Sequence, residues 1–320
     1  MTAFKLAFRN LIGAGLRTWL NVGVLAFILI LIIMHYGMLD GWNRQAVTDM
    51  IAWEIGGGQI WQENYDPYDP FTLEDSHAPI PNSMQGEIEK GNLAPVLITQ
   101  GTIYPEGRMQ SILLKGINTD QQVSELPTAE LARDYTEIPA IIGTIMAKNA
   151  RLDVGDLVTV RWRDVDGTFD ADEALIVGVF KADVPAVTAG QMWVPIDRLR
   201  EMTQMPGEAT ILIADQEYTW YGSEEGWVLR DHDFLLKEMR DMIRMKTIGG
   251  SFMYVILMLL AMLAVFDTQV LSIFRRQKEI GTYMAMGMTR SQVVRLFTVE
   301  GAMHSILAVV VGAIPGIPFL

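Results

Sequence analysis

Three long apolar runs constrain this chain more than any other feature. Residues 248–266 hold no charge over 19 positions, and residues 301–320 hold none over 20. Each run is about the length needed to cross ~30 Å of hydrocarbon. A third run, residues 19–39, is interrupted mainly by Asn21 and His35. The pattern predicts three membrane helices.

A cleaved signal peptide is the alternative interpretation of the first run. Its apolar core would be shorter, and no small-x-small cleavage pattern follows Met34, because the next residues are His35, Tyr36 and Gly37. We therefore expect a retained anchor.

Charge orients these helices. Residues 1–18 carry a net charge of +3, and residues 272–296 carry five basic side chains against Glu279 alone, a net of +4. Segments of this kind tend to stay in the cytoplasm. Residues 40–246 hold 17 basic and 35 acidic side chains, a net of −18, and we expect this region outside. Such acidity excludes a nucleic-acid surface.

The chain therefore divides into six predicted segments. These are a cytoplasmic or interfacial helix over 1–18, membrane helices over 19–39, 247–271 and 297–320, an extracytoplasmic domain over 40–246, and a cytoplasmic connector over 272–296. Residues 1–18 are apolar at helical spacing, which also fits the frayed end of the first span. The middle region is long enough for a core of its own.

The middle region alternates strand-like and helix-like runs, which predicts an α+β domain. The strand-like runs are 53–61, 96–104, 109–117, 157–163 and 174–180, and the helix-like runs are 41–50, 129–134 and 142–152. Pro105 in the second and Gly107 in the fourth position of a turn starting at Tyr104 suit a type I turn in one expected hairpin. Asp166-Gly167 marks the turn of another. The glycines at 56–58 indicate a bulge or bend in a strand.

Motifs for catalysis or metal binding do not emerge. None of the four histidines lies in an H-E-x-x-H pattern, and Asp231-His232-Asp233 has no second His or Cys beside it. Residues 164–175 depart from an EF-hand, because position 12 would be Leu175. No G-x-x-x-x-G-K-[ST] sequence occurs, so ATP hydrolysis would need another polypeptide. We expect no catalytic, cofactor-binding or metal-binding residues in this chain.

The connector carries the most informative motif. Its sequence fits R-x-x-E-I-G-x-x-x-A-x-G followed by E-G, with Arg276, Glu279, Ile280, Gly281, Ala285, Gly287 and Glu300-Gly301. This pattern, together with Ala7–Leu11 and Arg17-Thr18, resembles FtsX-like and MacB-like ABC transporter permeases. The motifs Gly58–Trp61, Leu113–Ile117 and Val154–Asp156 are most similar to the lipoprotein-releasing (LolC/LolE-like) branch.

The resemblance implies an α-helical membrane protein with an inserted extracytoplasmic α+β domain of the MacB-like periplasmic core type. The family plan has four membrane helices and this chain carries three, so the resemblance implies a C-terminally incomplete FtsX-like domain. It further implies a dimer with a second permease copy or paralogue, a cytoplasmic ABC ATPase dimer that binds ATP and Mg, and a periplasmic carrier or adaptor.

The same resemblance implies a location in the cell inner membrane and a role in lipoprotein release. A MacB-like efflux permease and an FtsX-type regulator of cell-wall hydrolases are the alternatives. Domain size mildly favours transport, because 207 external residues exceed what a hydrolase-docking loop would need.

Three groups of candidate site residues follow. The implied ATPase-coupling residues are Arg276, Glu279, Ile280, Gly281 and Gly287. Apolar side chains on the connector, at Ile280, Tyr283, Met284, Met288 and Val293, would contact the ATPase, whereas an interfacial helix on anionic lipid is the alternative. The expected helix-packing residues are Asp267, Gly301, Ser305, Gly312 and Gly316. Possible acyl-chain contacts are Met245, Met253 and Met258, for which packing against the first helix is the alternative.

Overall fold

The computed structural model describes residues 16–182, 184–218, 220, 222 and 224–316. The chain forms two compact units. We call residues Gln45–Arg240 the sheet domain, and Met1–Arg44 with Asp241–Leu320 the helical unit. The segment predicted as an interfacial helix over 1–18 lies almost entirely outside the described residues.

The helices in chain order are α1 (Leu16–Met50), α2 (Asn82–Glu89), α3 (Thr144–Ala150), α4 (Pro185–Thr188), α5 (Ile196–Thr203), α6 (His232–Leu235), α7 (Lys237–Arg275), α8 (Gln277–Ala285) and α9 (Arg290–Gly316). The strands are β1 (Gly58–Gln62), β2 (Ala78–Pro79), β3 (Leu93–Ile103), β4 (Gln110–Ile117), β5 (Ile138–Gly143), β6 (Leu157–Arg163), β7 (Phe169–Phe180), β8 (Gln191–Pro195), β9 (Glu208–Ala209), β10 (Ile211–Ala214) and β11 (Trp227–Arg230).

Long apolar helices dominate the helical unit. Among the described residues, three helices are long and apolar enough to cross a membrane, spanning Trp19–Ile55, Lys237–Arg275 and Arg290–Pro315. Each of them overlaps one of the three apolar runs of the sequence, and residues 317–320 of the last run lie outside the described residues. The expected helical continuation over 41–50 is confirmed, because α1 extends to Met50.

The sheet domain is built on a closed ring of strands. The order β3-β4-β8-β5-β7-β6 returns to β3, and β10, β1 and β11 extend the sheet from β3 on the other side. The length of β3 allows both arrangements, since Leu93–Val96 pairs with β10 and Gly101–Ile103 pairs with β6. A closed ring leaves no unpaired strand edge in that part of the sheet.

Apolar residues fill both faces of the central strands. Ile141 pairs with Trp193, and the next pair along, Ile142 with Met192, points to the opposite face. Ile141 and Trp193 belong to one buried cluster, while Ile142 and Met192 belong to another. Burial of both faces explains why these strands read as continuous apolar runs instead of an alternating pattern.

Several local predictions need correction. The run 53–61 is not extended throughout, because Ile51–Ile55 forms one π-helical turn and the strand begins only at Gly58. The run 142–152 is strand up to Gly143 and helical only from Thr144. The glycines at 56–58 therefore connect a helical turn to a strand.

The two expected hairpins are confirmed, with changes in detail. Strands β3 and β4 pair antiparallel, as do β6 and β7. The turn after Tyr104 is not type I, since Glu106 has φ +50°, a left-handed conformation that type I excludes. Strand β7 begins at Phe169, five residues earlier than predicted.

Candidate functional site

The connector folds as a helix–turn between two long helices. Helix α7 ends at Arg275, and Arg276 leaves the helical conformation at φ −102° and ψ 17° before α8 starts at Gln277. Helix α8 ends at Ala285, and α9 begins at Arg290. The third apolar helix therefore starts inside the segment predicted as the connector.

Arg276 lies at the centre of the connector. Its Nη1 lies 3.1 Å from both carboxylate oxygens of Glu300, and its Nε donates to Oε2 of Glu279 at 2.7 Å. The guanidinium carbon also lies 5.2 Å from the centroid of the Phe297 ring. The start of α8 is thus tied to α9 by charge and by an aromatic contact.

Burial makes this ion pair different from a surface pair. The side chain of Glu300 is 6 % exposed and that of Arg276 is 18 % exposed, whereas Glu279 is 56 % exposed. Burial lowers the pKa of the Arg276 guanidinium, but the hydrogen bond to Glu279 and the charge of Glu300 outweigh it, so the net pKa is raised. The guanidinium stays charged, which a buried carboxylate partner requires.

Gly287 ends α8 in a Schellman motif. The amide of Met288 donates to the carbonyl of Tyr283, and the amide of Gly287 donates to that of Met284, both at 3.1 Å. Gly287 has φ +96°, a conformation that side chains other than glycine rarely adopt. The glycine of the motif therefore has a backbone role at the reversal between α8 and α9.

A capping box starts α9. The amide of Thr289 donates to Oε1 of Gln292 at 2.9 Å, and the amide of Gln292 donates to Oγ1 of Thr289 at 3.4 Å. The spacing T-x-x-Q is readable in the sequence. This spacing is the sequence signal that could have predicted where α9 begins.

The exposed surface of the connector is apolar and basic. Met286 is 69 % exposed and Met284 is also exposed, as are Arg275, Lys278 and Arg290. Among the described residues, no ion pair involves those three cations. The surface defined by these five residues is called the connector surface below.

Other predicted contact residues lie elsewhere. Val293 is buried, and Tyr283 packs against a cluster of Leu296 and Met303 on α9. Tyr283 thus packs α8 on α9, and the expectation that Tyr283 and Val293 contact an ATPase stays a prediction. Ile280 is half-buried, and Gly281 lies exposed within α8.

The predicted packing glycines differ in what they touch. Gly312 is buried against α1, where an added Cβ would lie 3.2 Å from Leu29 and 3.3 Å from the carbonyl of Ala26. At Gly301, an added Cβ would lie 3.9 Å from the nearest atoms, which belong to the side chain of Gln269 on α7. Of these two glycines, Gly312 therefore makes the closer helix contact.

The remaining members of that group lie at exposed positions or at the end of α9. Asp267 and Ser305 are exposed, and Gly316 is the last residue of α9. Their role in helix packing stays a prediction.

The methionines of α7 face outward. Met245, Met253 and Met258 are all exposed, so packing against the first helix does not explain them in this structure. An apolar hollow of about 490 Å³ lies on the same helix, lined by residues that include Ile256, Leu260 and Phe266.

Among the described residues, no group of three or more His, Asp or Glu side chains could hold a metal ion.

Comparison with known proteins gives one family match. No curated protein matches the chain. Among solved structures, the extracellular domain of the noncanonic ABC-type transporter YknZ from Gram-positive bacteria is similar, at 14 % identity and a TM-score of 0.32, over 51 % of this chain and 84 % of that chain. Residues 251–320, which contain the connector and α9, match the model of the FtsX-like permease C-terminal family, and this match supports the FtsX-like family for the chain.

Proposed function

We propose that this chain is the membrane subunit of an ABC transporter, which transmits the motion of a separate ATPase to its sheet domain. The observation that carries the proposal is the match of residues 251–320 to the FtsX-like permease C-terminal family. ATP binding and hydrolysis belong to another polypeptide in this proposal, which the absence of G-x-x-x-x-G-K-[ST] from the sequence supports.

The connector surface is the docking site for that ATPase in this proposal. Exposed methionines can fill irregular apolar grooves, and the surrounding cations favour an acidic rim on the partner. The ion pair of Arg276 with Glu300 and the packing of Tyr283 against Leu296 and Met303 support this surface on α9. Movement of the docked ATPase is thereby passed to the third helix.

The membrane topology follows from charge. The connector and the N-terminal segment lie in the cytoplasm, and the sheet domain lies outside, in the space beyond the inner membrane. Reporter fusions at residues 70, 120 and 220 should report the outside, and a fusion at residue 285 the cytoplasm. A cytoplasmic signal at residue 120 would overturn this topology and the docking role with it.

The cargo in this proposal is an acylated protein, taken from the outer leaflet and passed to a periplasmic carrier. Exposed Met245, Met253 and Met258 support an acyl-chain path along α7, because methionine adapts to chains of varied shape. The cargo assignment also rests on the resemblance of the external motifs to the lipoprotein-releasing branch.

Photo-crosslinking from these three positions tests the cargo, using membranes that contain the full-length protein and its ATPase. Capture of labelled lipoprotein without ATP, lost after ATP is added, is the expected result. Capture of neighbouring helices only, with drug efflux intact, would favour a MacB-like exporter. Control of a cell-wall hydrolase without any captured cargo would favour an FtsX-type regulator.

A further inference from the structure

The end of α1 has an unusual hydrogen-bond pattern. Residues Ile51–Ile55 form a π-helical turn, in which the amide of Gly56 donates to the carbonyl of Ile51 at 2.8 Å. A π turn holds one residue more than an α turn and is found mostly as an isolated insertion, frequently at functional sites. The sheet domain must therefore supply contacts that favour this conformation.

A buried ion pair supplies the first of these contacts. Oε1 of Glu54, on the π turn, accepts hydrogen bonds from Nζ of Lys115 at 2.8 Å and from Nε2 of Gln191 at 3.0 Å. The side chain of Lys115 is 5 % exposed, and its Nζ lies 4.9 Å from the centroid of the Trp193 ring. The turn is thus charge-paired to β4 in the interior of the sheet domain.

A backbone contact competes with the alternative α-helical bond. In an α turn the amide of Gly56 would donate to the carbonyl of Ala52. That carbonyl instead accepts the amide of Glu125 at 2.9 Å, and the carbonyl of Glu54 accepts Nε2 of Gln59 at 2.8 Å. The Trp53 ring stacks on Phe180 with centroids 5.4 Å apart. The π form is therefore maintained by tertiary contacts on successive residues.

We propose that the turn Ile51–Ile55 is a two-register joint, whose π form persists as long as Glu54 and Lys115 leave no unpaired charge buried beside it. Substitution of one member of the pair leaves the other charge buried without a partner, and that charge can regain water only if the turn moves. Winding into the α form releases one residue and rotates residues 46–50 by about 100°, the angle of one helical residue. The consequence of this rotation for transport rests on the proposed function, but the joint itself does not.

Hydrogen exchange of the full-length protein in detergent or nanodiscs tests the joint. The variants are Lys115→Met, Glu54→Gln and the double variant, in which the glutamine oxygen still accepts from Gln191. Each single variant should speed amide exchange in peptides covering residues 50–58 by about tenfold or more, because one charge is left unpaired. The double variant, with no buried charge, should exchange at nearly the original rate.

A matched control uses an exposed ion pair of the same domain. Glu106→Gln removes the carboxylate that pairs with Arg108 on the surface and should leave residues 50–58 unchanged. Faster exchange throughout the sheet domain in the single variants would show that the pair supports general stability only, and would overturn the joint. Unchanged exchange in both single variants would overturn it as well.

The register of the turn is measured separately by cysteine labelling. The chain contains no cysteine, so each introduced cysteine is the only thiol that the reagent can label. Single cysteines at positions 51, 52, 53 and 55 are labelled with maleimide in the original and Lys115→Met backgrounds. In the original background position 55 should be the most protected, because Ile55 is buried. A changed order of protection supports the two-register joint, whereas a uniform increase contradicts it. Neither readout needs an ATPase, so a failure here leaves the proposed function standing.

Discussion

Nη1 of Arg276 contacts both carboxylate oxygens of Glu300 at 3.1 Å, across the reversal between α8 and α9. The resemblance implies that Arg276 couples the chain to an ATPase, which stays a prediction. Its guanidinium lies on the buried carboxylate and the Phe297 ring. The residue therefore positions the connector surface, and the surface itself consists of the exposed methionines and cations around it.

Breaking the ion pair of Arg276 and Glu300 should destabilise the connector. Arg276→Gln leaves the buried Glu300 carboxylate without its cation, which costs about 3 kcal/mol, the lower end of the range for buried pairs. Glu300→Gln leaves Arg276 with the more exposed Glu279 as its carboxylate partner and should cost less than Arg276→Gln but more than the control. Denaturant titration in micelles measures the unfolding free energy. The control is Glu279→Gln, which removes a half-exposed partner of the same arginine and should cost less than about 1 kcal/mol. Equal losses at 279 and 300 would contradict the inward role of Arg276.

Two glycines of the motif should respond to alanine in opposite directions. Gly287→Ala forces a side chain into φ +96° and should cost about 1–2 kcal/mol. Gly281→Ala places alanine inside α8, where nothing lies within 4 Å of an added Cβ, and should stabilise the helix by about 0.5–1 kcal/mol. Amide exchange within α8 measures both changes. Faster exchange in Gly281→Ala would show that this glycine has a role beyond the backbone.

Packing of α9 on α1 should depend on Gly312. Gly312→Leu would push a side chain into Ala26 and Leu29 and should cost about 1–3 kcal/mol, the usual cost of overpacking. Gly250→Leu is the matched control, since nothing lies within 4 Å of an added Cβ at that position. The melting temperature of the purified protein reports the difference. A larger loss at 250 than at 312 would contradict the helix contact described here.

The capping box of α9 gives a smaller, specific effect. Thr289→Ala removes the hydroxyl that accepts the amide of Gln292 and should cost about 1 kcal/mol. Thr289→Ser keeps the hydroxyl and should change the unfolding free energy little. Equal destabilisation by serine and alanine would assign the role of Thr289 to its methyl group.

Helices and hairpins that depend on residues close together in the chain could be predicted from the sequence. The three apolar runs and the two hairpins depend on patterns within about 20 residues, and all five are present. Closure of the strand ring was not predictable, because it pairs Gly101 with Trp162 across 61 positions, and no hairpin joins β3 directly to β6. Register between strands far apart in the chain depends on packing that no short pattern encodes.

The candidate site was predictable in position but not in orientation. The motif placed the connector correctly between two long helices, yet it could not show which face Arg276 presents. That orientation depends on the reversal at Gly287, which brings Glu300 back over Arg276. One sequence signal could have indicated this orientation. Glu300 is the only acidic residue among residues 280–320, and a carboxylate in an apolar helix needs a cationic partner.

Site-specific crosslinking at the connector surface tests the central claim most directly. Because the chain contains no cysteine, Met284→Cys and Met286→Cys can each be introduced alone, with Val293→Cys as the buried control. Each variant is co-expressed with the ATPase subunit of the proposed transporter, and a thiol-reactive photo-crosslinker is attached. The account predicts a crosslink to the ATPase from 284 and 286 and none from 293. Labelling of 284 and 286 by membrane-impermeant reagents from outside the cell, without any crosslink to the ATPase, would contradict it.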